Sequence, residues 1–182
     1  VLKCEVTSIT TEGSQCLYLD GADADLMRGK RILIDCGLQQ GRDEIDDNKL
    51  PFHPGEVDYV FATHAHIDHT GRIPLLYKMG YTGQVYATRL TAQLMNIMLM
   101  DSAHIQEFEA EWRNRKAQRA GQPPYVPLYT MADAEQALSQ FMGYPYRETV
   151  ELCQGIRVRF YDAGHLLGSS SIYLEITEEG ER

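Results

Sequence analysis

Short apolar runs separated by glycine, proline and acidic residues occupy the first half of the chain, and a helical repeat takes over near residue 90. Lys3 to Ile9, Ser14 to Asp20 and Arg31 to Cys36 read as strands, with Gly21 and Gly29 in the connections. A punctuated loop, Leu50-Pro51-Phe52-His53-Pro54-Gly55, leads into a further strand over Val57 to Thr63. Ile73 to Met79 predicts a short helix, because Pro74 is tolerated in a first turn and Gly80 supplies the stop. Gln84 to Ala87 returns as a strand. From Thr91 to about Arg119 the spacing predicts one long helix. Leu94, Ile97, Met98, Ile105, Phe108 and Trp112 recur along it at three- and four-residue intervals and give one apolar stripe. Met95, Met98 and Met100 are expected to pack rather than to serve a cofactor.

Gly121-Gln122-Pro123-Pro124 stops that helix and forces an extended connector. Thr130 with Asp133 predicts a capped helix that ends at Gly143. Arg147 to Leu152 and Ile156 to Tyr161 form a hairpin across Gln154-Gly155, and Ser170 to Ile176 is the last strand. The period alone gives a mixed α/β order without internal repeats.

At 182 residues the chain is one domain's worth of polypeptide. Its densest apolar stretch, Leu94 to Met100, is broken by Asn96 and is too short to span a bilayer. Val1-Leu2-Lys3-Cys4 lacks the basic and apolar regions of a signal peptide. Cys4, Cys16, Cys36 and Cys153 lie far apart without a C-x-x-C pair, so buried thiols and a cytoplasmic location are expected, with no membrane association. The net charge of −9 argues against broad capture of nucleic acid by this segment. Its cationic cluster, Arg113, Arg115, Lys116 and Arg119, follows Glu107, Glu109 and Glu111 and reads as a solvated helix face.

The run Thr63-His64-Ala65-His66-Ile67-Asp68-His69 carries the chemistry. Alternation puts His64 and His66 on one side of an extended chain, where two nitrogens converge on one ion. Asp68 and His69 fall at the next turn, within reach of a second ion. Zinc favours this mixture of imidazole and carboxylate. His53, in a proline-bounded loop, and His104, on the helix, have no ligand-like neighbour.

The sequence His64-x-His66-x-Asp68-His69 after a strand resembles the signature of the metallo-β-lactamase superfamily. Arg31 to Gly37 is similar to that family's strand bearing an aspartate before the metal loop, and Asp162 to Ser169 to its third motif. Ile34-Asp35-Cys36-Gly37-Leu38-Gln39-Gln40-Gly41, Gly164 to Ser169 and Pro127 to Glu135 resemble the β-CASP branch. That branch includes ribonuclease J and the cleavage-and-polyadenylation endonuclease. The likeness runs over residues 14 to 177.

The resemblance implies an α/β fold, the αββα sandwich of two sheets covered by helices. This chain would be its amino-terminal portion, residues 1–182, ending before a fourth metal motif and before the β-CASP insertion. It implies that His64, His66 and His165 bind one zinc, that Asp68 and His69 bind a second, and that Asp35 holds a ligand in orientation. The complete enzyme would carry two Zn2+, with Mn2+ or Fe possible, and this chain alone partial or no metal. A metal-bridged hydroxide, with Asp68 in the catalytic site, would hydrolyse RNA phosphodiesters. RNA is then the expected substrate and a homo-oligomer a possible state. The chain alone is expected to turn over little RNA, because a ligand of the second ion and the proton donor would lie outside it. Two alternatives remain: a hydrolase of a small ester, thioester or lactone, and a catalytically silent scaffold of an RNA-processing complex. Intact His64, His66, Asp68, His69 and His165 weigh against the scaffold.

Overall fold

The computed structural model describes residues 3–8, 15–20, 30–38 and 49–177, the first two segments as backbone alone. Six strands form one sheet in chain order: β1 (Lys3–Ser8), β2 (Gln15–Asp20), β3 (Lys30–Ile34), β4 (Tyr59–Phe61), β5 (Val85–Thr88) and β6 (Phe141–Tyr144). The first three pair antiparallel and the remaining junctions are parallel. A second, antiparallel sheet holds β7 (Val150–Cys153), β8 (Ile156–Asp162) and β9 (Ser170–Ile176).

Helices α2 (Ile73–Lys78), α3 (Arg89–Ala120) and α4 (Met131–Leu138) complete the order with a one-turn helix, α1 (Ile67–Thr70). Strands β3 and β4 are buried on both faces, as parallel strands usually are. Leu33 and Val60 pack with Leu76, Met95 and Leu99 on the helical side. Ile32 and Phe61 meet Ile156, Val158 and Phe160 of the second sheet. Each such side chain withdrawn from water contributes about 1.5–3 kcal/mol, so the two cores clamp β4 between helices and sheet. The result is an α/β sandwich of helices, sheet and sheet.

Most predicted elements stand at their expected places; Gly21, Gly29 and Gln39-Gln40-Gly41 lie outside the described residues. Thr130 and Asp133 form the predicted capping box. Cys36 is buried and Cys153 is partly buried, while the side chains of Cys4 and Cys16 are outside the described residues. No helix among the described residues is long and apolar enough to cross a membrane.

Three expectations are corrected. The strand expected over Val57 to Thr63 shrinks to Tyr59–Phe61, because the chain beyond it bends to carry the histidines. The helix α4 ends at Leu138, and Gly143 belongs to strand β6. A Cβ there would come 3.0 Å from the Arg89 Cα, so glycine lets α3 start against the strand. On α3 the buried positions are Thr91, Met95, Leu99, Ala103 and Ala110. Ile97, Ile105, Phe108 and Trp112 are 67%, 49%, 60% and 50% exposed instead. The face against the core is built partly of alanine and threonine, which close helix packing favours and which a count of large apolar residues passes over.

Candidate metal centre

Strand β3 ends because Asp35 takes a left-handed backbone, φ +60°, which aspartate tolerates better than most side chains. Its amide donates to the Phe61 carbonyl (2.8 Å), and both carboxylate oxygens turn toward the loop after β4. Oδ1 accepts from the Thr63 amide at 2.8 Å. Oδ2 accepts from the Thr63 hydroxyl at 2.7 Å and faces His69 Nδ1 at 2.8 Å.

This network fixes two tautomers. Thr63 has one hydroxyl proton and gives it to Asp35, so His64 Nδ1, 2.9 Å from Thr63 Oγ1, must donate to that oxygen. The His64 Nε2 lone pair therefore faces the cluster. Likewise His69 Nδ1 donates to Asp35 and leaves its Nε2 free. Burial, then repulsion from His69, lowers the His64 pKa to about 4, so the ring is neutral at pH 7 and able to bind a cation. The Asp35 hydrogen bond raises that of His69.

The next turn is held equally closely. Cys36 donates its amide to the His69 carbonyl (2.6 Å), and Leu38 donates to that of Ile67 (3.0 Å). A Cβ on Gly37 would lie 1.5 Å from the Asp68 carbonyl oxygen, so only glycine allows this approach.

His165 arrives from the other sheet, on the loop between β8 and β9. Ser169 Oγ accepts the amides of His165 (3.1 Å) and Leu166 (3.0 Å), shaping the loop. Ser170 donates its amide (2.9 Å) and hydroxyl (3.1 Å) to the Thr63 carbonyl, tying the two loops together. Gly168, at φ +85°, gives its carbonyl to the hydroxyls of Thr88 (2.6 Å) and Thr91 (2.8 Å) at the start of α3.

All six residues singled out in the sequence meet here. His64 Nε2 and His66 Nδ1 are 3.1 Å apart. The His165 ring centroid lies 4.9 Å from that of His64 and 5.2 Å from that of His66. One ligand atom from each of these three histidines lies within 4.8 Å of the others. Three imidazole nitrogens brought this close form a donor set that would suit a borderline divalent ion. The Asp68 carboxylate is 3.8 Å from His69 Nε2, on the adjacent side. Asp35, His64 and His69 also approach closely enough to hold an ion, but the Asp35 oxygens already face three donors. His53 and His104 are exposed. Thr63 and Ser169 stand inside the quoted motifs, yet their bonding was not readable from residue type.

A family description, the metallo-beta-lactamase superfamily domain, matches residues 26–181. The chain belongs to the metallo-β-lactamase superfamily. Within the superfamily it is 37% identical over 148 residues to a ribonuclease of Thermus thermophilus, covering 81% of this chain and 30% of that protein. It is 33% identical to the transcription termination factor FttA of Methanocaldococcus jannaschii, covering 91% of this chain and 24% of the relative. Cleavage and polyadenylation specificity factor 73 of Drosophila melanogaster is 29% identical, covering 90% of this chain and 21% of its own length. These relatives suit the β-CASP resemblance. The chain spans less than a third of their length.

Proposed function

We propose that the protein carrying this chain is a zinc-dependent ribonuclease that hydrolyses RNA phosphodiester bonds. The observation that carries this reading is the convergence of His165 on His64 and His66 across two sheets. In this reading His64, His66 and His165 hold one ion, and Asp68 with His69 Nε2 holds the second. When bound, divalent ions supply Lewis acidity at the phosphate and a water acidic enough to ionise near neutral pH. The chain's own residues supply the rest. Asp35 orients His69, and Thr63 holds His64 with its Nε2 lone pair inward. His165 is exposed and Asp68 partly so, which leaves the centre open on one side to a polymer. The choice of RNA is supported by the relatives' names, a ribonuclease and a cleavage and polyadenylation factor among them. Manganese or iron fits the same donors.

The same reading has the leaving-group acid and a further ligand of the second ion outside residues 1–182. The test uses the full-length polypeptide, a 5′-labelled RNA and added zinc or manganese. Cleavage is expected, and His64→Ala is expected to lose both cleavage and bound metal by elemental analysis. Turnover of a lactone or thioester with RNA left intact would replace this reading with the small-substrate hydrolase.

A further inference from the structure

Arg72 is charged, 3% exposed and unused by the chemistry above. An arginine is rarely taken so far out of water unless its donors have fixed partners. Its Nε donates to the Gly37 carbonyl at 2.6 Å, and its amide donates to the Cys36 carbonyl at 2.8 Å. The residue sits in the short gap between α1 and α2, directly after the turn that carries Asp68 and His69. It reaches from there to the turn that follows Asp35.

The two turns hold each other in both directions. Cys36 and Leu38 donate their amides to the carbonyls of His69 (2.6 Å) and Ile67 (3.0 Å), and Arg72 returns two donors to Cys36 and Gly37. Gly37 is the point of contact, because a Cβ there would lie 1.5 Å from the Asp68 carbonyl oxygen. The orientation of the Gly37 peptide therefore sets where the Asp68–His69 backbone runs. His69 depends on that placement twice, since its Nδ1 must also stay 2.8 Å from Asp35 Oδ2. We propose that Arg72 is a positioning residue for the Asp68–His69 half of the centre, acting through Gly37 rather than as a ligand. The assignment rests on the reading that Asp68 and His69 hold a second ion. An apolar side chain at 72 takes a donor from a buried carbonyl, where water does not replace it. The 36–38 turn then moves off the 67–69 turn, and Asp68 and His69 lose their alignment.

The histidine trio has other supports. The Asp35 amide is bound to the Phe61 carbonyl (2.8 Å), so β4 keeps Asp35, and with it Thr63, in place. The loop of His165 is shaped by Ser169 and tied to Thr63 through Ser170. Arg72 therefore discriminates between the two ions, which a general support of the fold would not do.

Zinc titration of the metal-free full-length polypeptide tests this, read by calorimetry and elemental analysis, with circular dichroism checking that each variant is folded. The wild-type protein is expected to bind two ions. Arg72→Met is expected to hold the first as tightly as the wild type and the second about 10–100-fold more weakly. Arg72→Lys keeps the charge and a donor, and its second-ion affinity should fall between the two. That variant carries the test if Arg72→Met does not fold. Equal weakening of both ions, or no selective weakening of the second in a folded variant, would overturn the role of Arg72 and leave the ribonuclease reading standing. A wild-type protein that cleaves RNA with a single bound ion would remove the second site and this proposal with it.

Discussion

At the scale of single residues, Thr63 does more than its neighbours in the histidine run suggest. Its hydroxyl satisfies Asp35 and thereby obliges His64 to donate from Nδ1, turning the basic nitrogen inward. Thr63→Val keeps the shape and removes that instruction. Metal affinity is expected to fall about 10–100-fold, the usual cost of losing a group that orients a ligand. A competition titration against a chromophoric chelator measures it, and unchanged affinity would refute the role given to Thr63. Gly37 and Gly80 offer a matched contrast. An alanine at 37 would drive its Cβ to 1.5 Å from backbone, a clash that nothing flexible can relieve. Gly37→Ala is expected to cost about 4 kcal/mol or more, in the exceptional range for a point change. Gly80→Ala meets no atom within 4 Å and pays only for φ +106°. Its expected cost is about 1–3 kcal/mol. Urea unfolding midpoints separate the two.

At the scale of elements, α3 exposes the difference between a periodic pattern and a packed face. Met95 is fully buried and Ile97 is two-thirds exposed, because two residues' separation puts them on opposite sides of the helix. Met95→Ala is expected to destabilise by about 2–5 kcal/mol, Ile97→Ala by about 0.5 kcal/mol or less. Chemical denaturation decides this, and reversed magnitudes would contradict the helix orientation. Thr130→Ala removes the hydroxyl half of the capping box and is expected to cost about 1 kcal/mol. Caps and stops were legible because they act through bonds a few residues apart: Thr130 with Asp133, Pro74 inside α2, Gly80 after it. The helix face was not legible, since Ala103 packs against Leu75, Tyr129 and Ala134 at a junction of helices that selects for closeness rather than bulk. Strand β6 was missed for a related reason, as Gly143 serves contact with α3 rather than a turn. The six centre residues could be named from motif wording alone, while Thr63 and Ser169 gained meaning only from hydrogen bonds.

At the scale of the whole molecule, the centre joins two sheets that also meet through apolar contacts, the Ser170 bonds to Thr63, the Thr88 and Thr91 bonds to Gly168, and the Tyr59 hydroxyl donating to the Leu152 carbonyl. A cation held by His64 and His66 on one loop and His165 on the other adds a polar link across that junction. An ion that binds only the folded chain stabilises by RT ln(1 + [L]/Kd), about 2.7 kcal/mol at a hundredfold excess over Kd. For a chain of this length that corresponds to a rise in Tm of about 5–10 °C. Chelation should reverse the rise without unfolding the protein, because the Ser170 bonds and the Phe61–Phe160 core remain. His165→Ala should shrink the chelator-dependent shift far more than it lowers the Tm of the metal-free protein, since His165 is exposed and supports no core. Hydrogen exchange should locate the change: faster in the loops around residues 63–71 and 163–170, and unaltered in α4. A shift of equal size in the variant, or loosening spread evenly over both sheets, would mean that the ion binds somewhere else. The same link bears on charge, because an ion set into this acidic chain makes the opening locally positive where a polyanion would approach.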